Sequence, residues 1–334
     1  MSHPTKALIF GAGGVGCIYA AILEKGGADV TCVCRSNYDA VKANGIWIRS
    51  AKWGHMRTRP RVVKTVEEAK SIGPFDFVVV CSKAFPGTAG LIKDAVAPGG
   101  KTAIVLAQNG IAIEEDYAKL YQESAIISGV VYLPTTQVEP GIVEHGTPLQ
   151  RFEIGVFPSS MPISQAKDSA KSFSKLFAAG GADAPIHEDI QLRRWNKLAV
   201  NGCLNPITAL TLCDDANYLR SSKYALDLAK DVMREIGTLA TAAGYPNAVT
   251  EAEIEHHMER HVERLQIGGK EPSMLVDIRH NRAIEVEAIL GNAVRKAEEL
   301  QVQVPYLKML YVLAKARDFA TLKKDGWKPI KTVD

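Results

Sequence analysis

The stretch Lys6-Ala-Leu-Ile-Phe-Gly-Ala-Gly-Gly-Val-Gly-Cys17 limits most severely what this chain can become. It reads as a short buried strand, a glycine turn and the start of a helix over roughly 15–25. Gly11, Gly13 and Gly16 fit the spacing G-x-G-x-x-G. The first glycine permits a tight turn. The second lets backbone approach a pyrophosphate, and the third lets the helix pack close to the strand. Free N–H groups and the helix dipole favour an anion at such a helix start. Such a motif is weak alone. Here it follows an apolar strand and leads to a second one, Asp29-Val-Thr-Cys-Val-Cys34, and that context predicts a dinucleotide site.

The cofactor's ribose is read close to the end of that second strand. An acid there suits the 2′-hydroxyl of NAD, whereas an arginine suits the 2′-phosphate of NADP. Arg35 follows directly, Asp29 lies at the wrong end and Asp39 lies beyond, so the residues favour NADP. Two more apolar runs, 75–81 and 101–107, read as strands buried on both faces. Lys83 and Gln108-Asn109-Gly110 follow them. Ligands of open α/β sheets bind beyond the carboxyl ends of strands, where Arg35, Lys83, Asn109 and the glycine turn all fall. Singly, Arg35 or Lys83 could be a solvated surface charge, and Asn109-Gly110 merely a turn. Residues 45–64 read as edge strands, 125–157 as further strands with a turn at Pro140-Gly141, 163–179 as a helix and 184–187 as a short strand.

The 334 residues suffice for two domains, and 46% hydrophobic with 23% charged residues is an ordinary globular mix. A net charge of +3 is too small to argue for nucleic acid or a membrane surface. The six cysteines sit mostly in apolar runs and form no Cys-x-x-Cys pair, as expected of buried thiols in a reducing compartment. The first strand begins so early that no signal peptide is expected, and no apolar run would span a bilayer, so the expected location is cytoplasmic.

From Glu188 helical periods replace the β-branched runs. Residues 188–212, 221–243, 250–264, 272–280, 284–300 and 305–318 read as helices. The lysine-rich end from Lys323 reads as a loose tail. The expected fold is therefore α/β: an N-terminal Rossmann-type doubly wound sheet over 1–187, binding NADP, and a C-terminal all-α domain over 188–334 for substrate or dimerisation. Either a homodimer or a lone chain is compatible with this plan. Within 195–206, Lys197, Asn201 and Asn205 are spaced four and four, on one stripe of an otherwise apolar helix. Such a stripe is costly unless it meets partners or a ligand. A lysine in a partly dry pocket has a lowered pKa and can act as a general acid. The alternative is a solvated polar face.

Nearly end to end, the chain resembles the ketopantoate reductase (2-dehydropantoate 2-reductase) family. The resemblance is carried by Gly11-Ala12-Gly13-Gly14-Val15-Gly16, Arg35, Lys83, Gln108-Asn109-Gly110, Lys197-x3-Asn201-x3-Asn205-Pro206 and Ser273-Met-x2-Asp277, with Glu285 at the family's spacing. It implies NADPH-dependent reduction of ketopantoate to pantoate, a step toward pantothenate and coenzyme A, with a small 2-keto acid as partner. Lys197 would then donate a proton to the ketone oxygen and polarise it. Glu285 would hold Lys197 and a substrate hydroxyl, Asn201 and Asn205 would bond substrate oxygens, and Ser273 the carboxylate. The glycine turn (Gly11, Ala12, Gly13, Gly14, Val15 and Gly16), Arg35, Lys83 and Asn109 would bind the cofactor. No metal is expected, because Lys197 supplies the positive charge.

A straight helix would hold Ser273 and Glu285 roughly 18 Å apart, so the chain must break between them. Asn281 can take the left-handed conformation that such a break uses. Two departures from the family pattern stand out. Asn281-Arg-Ala-Ile-Glu-Val-Glu287 lacks the usual Gly and Thr, and Asp215 stands where the family tends to carry Asn. An acid facing the pocket there would repel a carboxylate, which makes another branched 2-keto acid conceivable. A non-catalytic NADP-binding regulator is a third reading, opposed by the joint presence of Lys197 and Glu285. His256, His257 and His261 read as part of a surface helix rather than a zinc site, for want of a third ligand.

Overall fold

The structure, a computed structural model, describes residues 3–159 and 164–322. The lysine-rich tail read from Lys323 onward lies outside the described residues. The chain divides into two compact units, Met1–Ile190 and Gln191–Asp334.

The first unit runs β1 (Lys6–Phe10), α1 (Gly14–Lys25), β2 (Asp29–Val33), α2 (Tyr38–Asn44), β3 (Ile46–Ser50), β4 (Gly54–Thr58), β5 (Arg61–Val63) and α3 (Val66–Lys70). It continues through β6 (Phe77–Val80), a 3-10 stretch (Thr88–Ala95), β7 (Ala103–Leu106), α4 (Glu114–Leu120) and β8 (Ile126–Tyr132). It closes with β9 (Thr136–Glu139), β10 (Ile142–His145), β11 (Arg151–Phe157) and α5 (Ser164–Ala179). Among the described residues the main sheet has seven strands in the order β11-β8-β7-β6-β1-β2-β5. All neighbours pair in parallel except β11, which runs antiparallel to β8. The chain builds outward from β1 through β2 to β5, then crosses back to β6 on the other side of β1. That reversal makes a switch point at the carboxyl ends of β1 and β6. The buried runs β6 (FVVV) and β7 (AIVL) lie inside the sheet, covered on both faces.

A smaller sheet, in the order β4-β3-β10-β9, is inserted between these elements. In β3 the residues alternate, with Ile46, Ile48 and Ser50 buried and Trp47 and Arg49 exposed, as a sheet with one wet face requires. Helix α1 packs on both sheets, which explains why Gly16 through Leu23 are all buried and carry no charge. Beneath it, Tyr19 lies 4.9 Å from both Phe152 and Phe177 by ring centroid, and Phe173 joins the same aromatic core. The segment expected as a short strand at 184–187 makes one parallel bridge, Ile154 to Ile186, and no ladder.

The second unit is helical: α6 (Gln191–Thr211), α7 (Asp215–Ser221), α8 (Ala225–Ala242), α9 (Glu251–Ile267) and α10 (Ser273–Arg279), followed by a π-helical turn (Glu287–Gly291) that runs into α11 (Asn292–Glu299), and α12 (Pro305–Leu322). Helix α6 is central and packs against α8, α10 and α12. The single helix expected over 221–243 begins later, at Ala225. A separate helix, α7, precedes it, started by Asp214, whose carboxylate accepts from the Asn217 N–H at 2.7 Å. The helix expected from 284 is not helical through Glu285, where the Val286 N–H turns back to the Ile284 carbonyl, and winds as a π turn from Glu287. Among the described residues, no helix is long and apolar enough to cross a membrane.

Candidate functional site

In the first unit the glycine turn lies at the switch point. The Cys81 and Ser82 N–H groups both donate to the Phe10 carbonyl, at 2.8 and 3.0 Å. This brings the exit of β6 against Gly11, whose φ is +101° and where a Cβ would lie 2.5 Å from the Ser82 nitrogen. Only glycine fits that conformation and that approach. A Cβ at residue 16 would lie 2.1 Å from the Gly11 carbonyl oxygen, so the helix-to-strand approach read from the motif is real. Above Gly13 nothing lies within 4 Å of where a Cβ would stand. The first turn of α1 holds no acid, and its N-cap, Gly13, has no side chain to occupy the free N–H groups. An open backbone cradle at a helix start, with no competing carboxylate in its first turn, fits a dinucleotide's pyrophosphate.

The neighbouring loops are tied to this turn. Gln108 Nε2 donates to the Ser82 carbonyl at 2.9 Å, which holds Asn109 beside the Ser82-Lys83 exit. Both Lys83 and Asn109 are half-buried. Arg35 is exposed, two residues after β2 ends at Val33. Two residues on, buried Asn37 donates from Nδ2 to the Ala12 carbonyl at 2.7 Å and so fixes the Arg35 loop to the glycine turn. Cys17 Sγ lies 3.3 Å from the same carbonyl. Burial, with Cys34 nearby, pushes the Cys17 thiol up to about 12, so it packs as a neutral group. In register with β2, strand β5 ends at Val63, which puts Lys64 at the same edge as Arg35. The ammonium groups of Lys64 and Lys42 lie 4.8 and 5.3 Å from the Tyr38 ring centroid. A cation-rich exit of this kind suits a phosphate ester. Sequence reasoning missed Asn37 and Lys64. The signal for Lys64 was its place at the end of an edge strand, legible only once β5 is paired with β2.

The other predicted residues belong to the second unit. Lys197 and Asn201 are half-buried on α6, and Asn205, two turns beyond Lys197, is buried. Asn205 Nδ2 donates to Ser273 Oγ in a long bond of 3.5 Å, joining residues 68 positions apart. Ser273 opens α10, directly after Pro272. The expected break follows: α10 stops at Arg279 and Asn281 has φ +50°. Buried Asp277 closes the turn, accepting from Arg282 Nε at 3.0 Å while its carbonyl accepts the Arg282 N–H. Glu285 is buried, and its segment is anchored where the Ile284 N–H donates to Asp318 Oδ1 of α12 at 2.9 Å. The π turn that follows packs on α6. Such turns frequently accompany functional sites.

Two sequence expectations are corrected here. Asp215 is no bare acid confronting a substrate. Its carboxylate is buried and accepts from His261 Nδ1 at 2.8 Å, the Lys270 N–H at 2.6 Å and the Arg264 guanidinium. Burial alone would raise its pKa, but these donors outweigh it and pull it down to about 2. His261, read as part of a surface helix, is buried as one of those donors. Among the described residues, no group of three or more His, Cys, Asp or Glu side chains is arranged to hold a metal ion.

A nucleotide cradle on a doubly wound sheet, joined to a helical unit with a lysine-asparagine stripe, defines a two-unit nucleotide-dependent oxidoreductase. Residues 7–159 match the family described as ketopantoate reductase PanE/ApbA, and residues 189–318 match its C-terminal counterpart. A crystal structure of 2-dehydropantoate 2-reductase from Methylococcus capsulatus is 33% identical, with a TM-score of 0.81 and coverage of 96% of this chain and 98% of that one. The 2-dehydropantoate 2-reductase of Nostoc sp. is 28% identical over 310 residues, 92% of this chain and 93% of that protein. A D-mandelate dehydrogenase solved with NADH and anilino(oxo)acetate shares the fold, at TM-score 0.82 and 21% identity over 95% of this chain and 99% of that one. The chain belongs to the ketopantoate reductase family.

Proposed function

We propose that this protein reduces 2-dehydropantoate to pantoate with NADPH. The observation that carries the reading is the α6 stripe of Lys197, Asn201 and Asn205, with Ser273 brought onto Asn205 from a distant part of the chain. The names of the Methylococcus and Nostoc relatives support the substrate. Arg35 at the exit of β2, tied through Asn37 to the glycine turn, supports a 2′-phosphate and hence NADPH.

When bound, the cofactor supplies the hydride that reaches the keto carbon. The Lys197 ammonium polarises the carbonyl oxygen and gives it a proton as negative charge develops there. The neutral amine then regains its proton from solvent, so each turnover consumes one proton. Glu285 holds Lys197 in place and accepts from a substrate hydroxyl. Asn201 and Asn205 donate to substrate oxygens, and Ser273 donates to the carboxylate. Holding the keto acid in one pose removes orientational freedom before the reaction. In the first unit the start of α1 holds the pyrophosphate, Arg35 the 2′-phosphate, and Lys83 and Asn109 the nicotinamide half.

The test is NADPH oxidation over a panel of 2-keto acids. The expected result is the highest kcat/KM for 2-dehydropantoate. An equal or higher value for another branched 2-keto acid would transfer the assignment to that acid, and no turnover of any would remove the enzyme reading.

A further inference from the structure

Asp215 lies outside the proposed chemistry, yet it is among the most heavily bonded carboxylates of the helical unit. Its side chain is 1% exposed. Oδ2 accepts from His261 Nδ1 and from Arg264, both on α9. Oδ1 accepts from the Ala216 N–H at 2.9 Å and the Lys270 N–H at 2.6 Å, and the Asp215 N–H donates to the Lys270 carbonyl at 3.2 Å. Lys270 is therefore held by both its backbone groups. One residue earlier, a Cβ on Gly269 would lie 2.0 Å from Asp214 Oδ1, so the carboxylate that starts α7 sits where any side chain at 269 would go. The loop between α9 and α10 is thus fastened to α7 at Lys270, with Gly269 packed against the Asp214 carboxylate. It needs a clamp, because it contains Gly268, at φ +110°, and Gly269. Such residues leave a backbone free to wander. Three residues beyond Lys270 stands Ser273, with its hydroxyl on Asn205.

We propose that Asp215 is the positioning residue for Ser273: by fastening Lys270 to α7 it sets where the Ser273 hydroxyl stands relative to the α6 stripe, and so governs affinity for the keto acid's carboxylate. This rests on the role given to Ser273 in the proposed function. The acid at 215 does not repel the substrate carboxylate, because its charge is spent on Arg264, His261 and two backbone N–H groups. His261 and Arg264 hold the carboxylate from the α9 side; Lys270 bonds it through its backbone N–H, and its ammonium adds a coulombic attraction.

The test is a double-mutant cycle on the full chain, Asp215→Asn, Ser273→Ala and the pair, followed by NADPH oxidation with 2-dehydropantoate. Asp215→Asn should raise the KM for 2-dehydropantoate about tenfold, the scale of one hydrogen bond to a charged group. The KM for NADPH and kcat should stay within about twofold. Ser273→Ala should raise the same KM, and the pair should be no worse than Ser273→Ala alone. Arg264→Gln, which weakens the same clamp from its half-exposed end, should show a smaller rise of the same kind and serves if Asp215→Asn fails to fold. Multiplying effects, or an equal loss in both KM values, would mean a merely structural role and overturn the inference while leaving the function in place. An unchanged KM in Ser273→Ala would remove the role of Ser273 and the inference with it.

Discussion

At the scale of single residues, what a side chain does is decided by what it meets. Arg35 is exposed, yet its loop is not free, because Asn37 pins it to the Ala12 carbonyl. If Arg35 meets the 2′-phosphate, Arg35→Ala should raise the KM for NADPH about tenfold or more, the worth of a charge-assisted bond, and leave the KM for NADH unchanged. Steady-state kinetics with both cofactors decides this, and an equal loss with both would contradict it. Asp215 teaches the converse. Its identity was legible, but its partners His261, Arg264 and Lys270 stand 46, 49 and 55 residues away. No local spacing rule connects them, so a neutralised carboxylate read as a bare one.

At the scale of elements, the local signals were sound. The glycine turn, the α6 stripe and the break at Asn281 depend on neighbours in sequence, and sequence spacing reports those directly. What was illegible depends on tertiary pairing. The small sheet joins β3 to β10 across the fold, with Ser50 Oγ and His145 Nδ1 3.0 Å apart, and α7 fills the stretch before Ser221 that no expected helix covered. Helix α9 carries a consequence for stability. Burial, the largest cause, holds the His257 imidazole down at about 4; Glu253, next in size, pulls it up, and Arg260, His256 and His261 push it down. Unfolded, that ring titrates near 6.5. Between these values the unfolded chain binds the extra proton, so stability is full above pH 6.5 and is lost as pH falls toward 4. In thermal melts from pH 7 to 4.5, His257→Gln should lose less Tm than the unsubstituted chain. Parallel slopes would contradict the assignment.

At the scale of the whole molecule, the proposal divides the work: the first unit binds the cofactor, and the second supplies the proton donor and the substrate's partners. A substitution in the second unit can therefore stop the chemistry without touching nucleotide affinity. The family was legible from motifs in both halves because each is a short, fixed spacing of neighbours in sequence. The most direct measurement is kcat for NADPH-dependent reduction of 2-dehydropantoate by Lys197→Ala, alongside the Kd for NADPH from nicotinamide fluorescence. The account predicts a fall in kcat of about 10³-fold with Kd unchanged within about twofold, since a general acid and a carbonyl-polarising charge are lost together. Turnover within tenfold of the unsubstituted chain would contradict it.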